Sequence, residues 1–220
     1  MKNLKKAVLS TLAYADVFDY PLSASEVWKF LIGHPEIKAD DVQKALLRIN
    51  ADLKLIDADG KFFFSLGRQK IVNLRKKREQ WSQKKMKIAR RVAKWLKLVP
   101  TIKMVAVTGA LAMGNSDKDD DIDLLIVTSK NRLWLTRLLT VILVELVTQR
   151  RRPQDTNVKD KICLNMFLDE NHLRVPKKEQ DLFSAHEVCQ MRVLCEKDGV
   201  YKRFLEENRW VKQFLPNWKP

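Results

Sequence analysis

The chain has 220 residues, 45% of them hydrophobic, enough to build one large core or two small ones and too apolar for a disordered or low-complexity polypeptide. Its 42 Lys and Arg against 27 Asp and Glu leave a net charge of +15, which favours a polyanionic partner such as nucleic acid or an anionic surface. Three cysteines, Cys163, Cys189 and Cys195, form no CxxC pair, which argues against a disulfide framework or zinc knuckle and for a reducing, cytoplasmic setting.

The N-terminus starts basic, but Ser10, Thr11 and Asp16 interrupt its apolar stretch, unlike a secretory signal. Residues 3–14 repeat Leu4, Ala7, Val8 and Leu12 at helical spacing. A second helix opens at Ser23, with Glu26 three residues on as a capping box, and a third opens near Asp40 with Gln43 in the same relation. The period then changes. Residues 53–57 and 61–66 flank Asp59-Gly60, a dipeptide suited to a two-residue hairpin turn. Three helices followed by a hairpin over residues 1–66 resemble a winged helix-turn-helix. Residues 68–97 hold 13 Lys or Arg against the single acid Glu79, with Ile71, Leu74, Trp81, Ile88, Val92 and Trp95 as an apolar stripe. This predicts one long basic helix over 67–99, read either as a solvated face or as a nucleic-acid track.

Beyond Pro100 the pattern alternates strand and helix: strand 104–108, strand 122–128, helix 132–149, strand 161–168, then helices over 179–195 and 200–214. The longest apolar run, residues 138–144, is far short of the roughly 20 residues that span a bilayer. It reads as a buried helix, and no membrane partner is expected. Six Trp fall mostly on apolar helix faces, where core packing is the default. His186-Glu187 lies on a predicted helix and could face a site or simply be satisfied in the helix; His34 and His172 read as loop residues.

The informative segment is VAVTGALAMG at 105–114, continuing NSDKDDDIDL at 115–124. A strand runs into a glycine turn, and twelve residues after Gly109 comes Asp121-Ile122-Asp123. On a strand, residues i and i+2 share a face, so both carboxylates point together while Ile122 enters the core. The glycine lets backbone N–H groups approach a phosphate that a Cβ would obstruct.

These residues resemble the DNA polymerase β-like nucleotidyltransferase superfamily, whose signature is an apolar residue, Gly, then Gly or Ser, followed by an Asp-x-Asp strand. The resemblance covers residues 102–170 and implies a mixed-sheet α/β (α+β) domain over 100–220. It implies that Asp121 and Asp123 are catalytic and hold two Mg2+ ions, or Mn2+, and that Gly109, Ala110 and Lys118 lie against the triphosphate. Ala110 stands where the family has Ser or Gly, and Leu111 where many relatives have Arg; Lys118, Lys130 and Arg132 are the nearest cations to compensate. A third carboxylate is expected on the 161–168 strand, where Asn165 fills the central position and Asp169 is the remaining candidate metal ligand. The expected reaction moves a nucleoside monophosphate from a nucleoside triphosphate to a hydroxyl, on nucleic acid through the basic helix and winged helix, or else on a protein or small molecule. The rival is a nucleic-acid-binding regulator whose transferase domain has degenerated.

Overall fold

The computed structural model describes residues 2–220, among which eight α-helices and seven strands form a mixed α+β protein. The chain divides into two compact units interleaved in sequence. The first takes the chain up to Lys77 with Gln180–Cys189 and Trp210–Pro220; the second takes Arg78–Glu179 and Gln190–Arg209. The consecutive division at residues 66 and 99 expected from sequence is thus replaced by one in which the C-terminus returns to the first unit. Hydrogen bonds explain why: the Trp218 indole N–H donates to the Cys189 carbonyl at 2.8 Å, and Asn217 bonds Trp28 O at 2.8 Å and Ile37 N at 2.9 Å.

In the first unit, helices α1 (Lys2–Asp16), α2 (Ala24–Lys29) and α3 (Ala39–Arg48) pack Val8, Leu12, Val27, Val42 and Leu46 inward. Strands β1 (Leu22–Ser23), β2 (Ile56–Asp59) and β3 (Phe62–Ser65) form an antiparallel sheet in the order β1-β3-β2. The β2–β3 hairpin turns one residue later than expected, at Gly60-Lys61 between the paired Asp59 and Phe62, with Gly60 at φ 61°. Ser23 and Glu26 complete the expected capping box. The third helix begins one residue before Asp40, at Ala39, with no side-chain cap.

The basic stretch forms one helix, α4 (Lys70–Leu96), whose first turns belong to the first unit and the remainder to the second. Several of its cations are committed internally. Arg75 is buried, donates to both oxygens of Glu26 at 2.7 and 2.9 Å, and stacks on the rings of Tyr20 and Phe62. Burial alone would raise the Glu26 carboxyl, but Arg75 and Ser23 outweigh it and hold it below the usual range. Just before the helix, Arg68 pairs with Asp16 at 3.0 Å and with Asp19.

The second unit is built on a four-stranded mixed sheet of order β6-β5-β4-β7. Strand β4 (Ile102–Val107) runs antiparallel to β5 (Ile122–Thr128) and to β7 (Arg192–Glu196), while β6 (Ile162–Asp169) lies parallel to β5. Ile122, Leu124 and Ile126 pack with Val105, Val107 and the Met86, Ala89, Val92 and Leu96 stripe of α4. The helix expected over 179–195 divides instead into α7 (Leu182–Gln190) and β7, because β4 offers β7 an open edge to pair with. The last helix is shorter than expected, α8 (Val200–Glu207), continued by a 3-10 turn.

Helix α6 (Leu133–Val147) contains the 138–144 run expected to be buried, yet it is buried on one side only. Its inward residues are Thr136, Thr140 and Val144. Trp134 and Trp95 are exposed rather than packed in a core, whereas Trp210 and Trp218 are buried. Among the described residues no helix is long and apolar enough to cross a membrane.

Candidate metal centre

Strand β4 leads through Thr108 into the short helix α5 (Gly109–Met113), and a loop returns the chain to β5. The Thr108 amide donates to the Asp123 carbonyl at 3.2 Å, which fixes the turn against the start of β5. Gly109 opens α5 at φ 62°, and a Cβ added there would lie 3.3 Å from Asp123 Oδ2. Both facts favour glycine: the conformation disfavours an L side chain, and a Cβ would press on the Asp123 carboxylate.

Asp121 immediately precedes β5 and Asp123 is its second residue, so the two carboxylates share a face as their spacing predicts. The neighbouring strand brings a third group. Cys163 is the register partner of Asp123, and a carboxylate oxygen from each aspartate and the Cys163 sulfur all lie within 4.8 Å of one another. Burial, then the charge and hydrogen bond of Asp123, push the Cys163 thiol up to about 12, so at neutral pH it is a protonated donor to that carboxylate. Burial and the nearby Asp121 charge raise Asp123 in turn. Arg151 caps the arrangement, its Nη1 2.6 Å from Asp121 Oδ2. The Arg151 amide donates to Ile162 O at 2.8 Å, which lays residues 149–151 along β6 and delivers the guanidinium to the acids.

The loop before the acids hangs from α4. Lys85, fully buried, donates to the carbonyls of Lys118 (3.1 Å) and Asp120 (2.6 Å) and to Asp160 Oδ1 (2.8 Å). One turn earlier, Ser82 Oγ accepts from the Ser116 amide at 3.1 Å, and Arg78 reaches Asn115 and Asp117, each at 3.3 Å. Asp120 caps the loop from within, accepting from the Asp117 amide at 2.6 Å. Of the acidic cluster 117–123, then, Asp117 and Asp120 shape the loop, while Asp121 and Asp123 form the site.

Several expected members are placed elsewhere. Asp169 is the last residue of β6 and pairs in register with Thr128, at the opposite end of β5 from Asp123. Five residues of strand separate the two positions, on the order of 16 Å. Its carboxylate instead accepts from the amides of Asn131 (2.6 Å) and Asn171 (2.9 Å), closing the turn there. Asn165 is not in register at all: Leu124 pairs with Leu164 and Leu125 with Met166, so Asn165 is the extra residue of a bulge, and it is exposed. Beyond the bulge the face alternation is reversed, which puts Asp169 off the face that Cys163 shares with Asp123. Ala110 is exposed beside Gly109. Lys118 sits in an exposed turn, where its backbone carbonyl serves Lys85. Lys130 and Arg132 follow the far end of β5, and His186 belongs to the first unit, buried against Tyr14 and Phe30.

Sequence reading missed Cys163 and Arg151. The first lies at an alternating position of its strand and needed only the register to be found. The second carried no signal beyond a run of three arginines. As chemistry, the two carboxylates suit a hard divalent cation, and the sulfur would take part only with a softer one. The sulfur joins only by losing its proton, and Arg151 must leave Asp121. No protein-family model matches the sequence, and no curated protein matches it.

Proposed function

We propose that the chain is a metal-dependent nucleotidyltransferase of the DNA polymerase β-like kind, with the first unit acting as a winged helix-turn-helix. The observation that carries this reading is the juxtaposition of Asp121 and Asp123 with the glycine-opened turn of α5, a carboxylate pair against a backbone that can approach phosphate. Asp121 and Asp123 would hold the cation, Mg2+ or Mn2+; the Cys163 thiol beside them is a soft, protonated donor that such a hard ion would leave unligated. When bound, the cation supplies charge neutralisation for in-line displacement at phosphorus. Gly109 and Ala110 present backbone N–H groups to the triphosphate. Arg151 neutralises Asp121 in the resting site and is the cation nearest to receive phosphate charge, a role for which Lys118, Lys130 and Arg132 are less well placed. The acceptor is nucleic acid, held by the exposed cations of α4 and by the first unit, in a cytoplasmic setting.

A second reading is a nucleic-acid-binding regulator without transfer activity, and the Arg151–Asp121 ion pair favours it, since it satisfies one carboxylate with no cation. Incubating the protein with each α-labelled nucleoside triphosphate, Mg2+ or Mn2+, and a mixed pool of RNA, DNA and protein separates the two. Label should pass to RNA or DNA in a cation-dependent manner. Label on protein or on a small molecule would move the acceptor, and binding of nucleic acid with no transfer under any cation would favour the regulator.

A further inference from the structure

Helix α6 is built inside out. Its fully buried positions include two threonines, Thr136 and Thr140, while its large apolar side chains face solvent. Trp134, Leu138, Ile142 and Leu146 are 78%, 57%, 49% and 77% exposed, and they follow one another at intervals of four. That spacing makes a single i±4 ridge about 18 Å long, flanked by a second row from Leu135 and Leu139, also exposed. The helix has only two charged residues, and neither lies on the ridge. Arg137 stacks over the Phe167 ring at 5.4 Å, and Glu145 is taken by Arg150 and Arg152 at 3.1 and 3.2 Å.

We propose that this ridge is a self-association surface on which a second copy of the chain docks through its own α6, forming a two-fold dimer. The proposal is independent of the transfer reading. Three observations select this occupant. The six exposed side chains present on the order of 600 Å2 of apolar surface, the upper end of what a monomer leaves open. Covered by an equal patch, they remove about 1,200 Å2, the lower bound of a stable protein–protein interface. The ridge is also self-complementary: an antiparallel crossing centred near residue 140 sets Trp134 against Leu146 and Leu138 against Ile142, each pair occurring twice, as an isologous contact requires. An i±4 ridge fits the groove between two such rows in the commonest helix-packing class. Finally, the ridge itself carries no cation to meet phosphate, which disfavours nucleic acid, and docking through it buries no charged side chain.

Sedimentation velocity of the full chain from about 1 to 100 μM tests this. The native protein should sediment at twice its 25.7 kDa. Leu138→Glu with Ile142→Glu should be monomeric throughout while keeping the native circular dichroism, because both side chains lie outside the core. A milder pair, Trp134→Ala with Leu146→Ala, should weaken association about tenfold or more, because it removes the largest side chain of the ridge and the one it packs against. A native protein that stays monomeric to 100 μM overturns the proposal, as does a dimer that survives in the folded Glu pair or associates as tightly as the native protein in the alanine pair. Co-sedimentation of the native monomer with phosphatidylserine–phosphatidylcholine vesicles, abolished by the same Glu pair, overturns it in favour of a lipid surface.

Discussion

Replacing Asp121 and Asp123 together with Asn should abolish cation-dependent nucleotide binding, read by calorimetry with Mg2+ or Mn2+, and lower any transfer rate by on the order of 10³-fold. A bound cation contributes several kcal/mol of charge stabilisation, and each 1.36 kcal/mol is a factor of about ten. The same substitution should not lower the melting temperature. Burial and the Asp121 charge raise the Asp123 carboxyl, so the folded chain holds that group at a cost whenever it is ionised. The sign follows: a raised carboxyl makes stability fall as pH rises through the interval between the unfolded and folded values, and Asp123→Asn removes that fall. Asp121→Asn also gives up the Arg151 pair, a contribution kept small by the exposure of Arg151. Loss of cation binding without loss of stability is the signature of a site maintained for function. Undiminished cation affinity would refute the metal assignment, and a large drop in melting temperature would make the two acids structural.

Acidification should destabilise the first unit well before its carboxylates protonate, through His186. Its imidazole is only 4% exposed, stacked on Tyr14 with ring centres 4.3 Å apart and beside Phe30. Burial depresses it from 6.5 to about 4. Above pH 6.5 both folded and unfolded chains carry it neutral, and its contribution is fully present. Between 6.5 and 4 the unfolded chain takes up a proton that the folded chain refuses, so stability falls by about 3 kcal/mol across that window. Glu26 acts in the same sense but lower: its depressed carboxyl contributes stability above the unfolded value of about 4.3, lost as pH falls further. Urea denaturation at about pH 7.5, 5.5 and 4.0 reads both, because His186→Gln should remove the fall between about 7.5 and 5.5 and the larger fall between about 5.5 and 4.0, leaving only what Glu26 contributes at the acid end. A native protein equally stable at the two ends of the histidine window would place His186 in contact with water.

The features legible in the sequence are those set by near neighbours. Asp121 and Asp123 share a face because two residues on a strand always do, Gly60 turns its hairpin, and Ser23 with Glu26 caps its helix. What the sequence withheld depends on partners distant along the chain. Nothing local marks Asn165 as an extra residue; only the pairing of β6 with β5 reveals it, and the same pairing sets Cys163 beside Asp123 and leaves Asp169 at the far end of the strand. Residues 192–196 satisfy a helical pattern as readily as an extended one, and the edge of β4 decides between them. The 138–144 run reads as buried because it is apolar, whereas the threonines that face inward are small enough to let α6 lie close to its sheet.

The ion pairs of the basic stretch bear on how much of its charge a polyanion can use. Of the 13 cations in residues 68–97, Arg68, Arg75, Arg78 and Lys85 are engaged by Asp16 and Asp19, Glu26, Asp117 and Asp160. At most nine remain to displace counterions from a duplex. At roughly 0.9 counterions released per neutralised phosphate, the logarithm of affinity contributed by this helix should fall with the logarithm of salt concentration no more steeply than about −8.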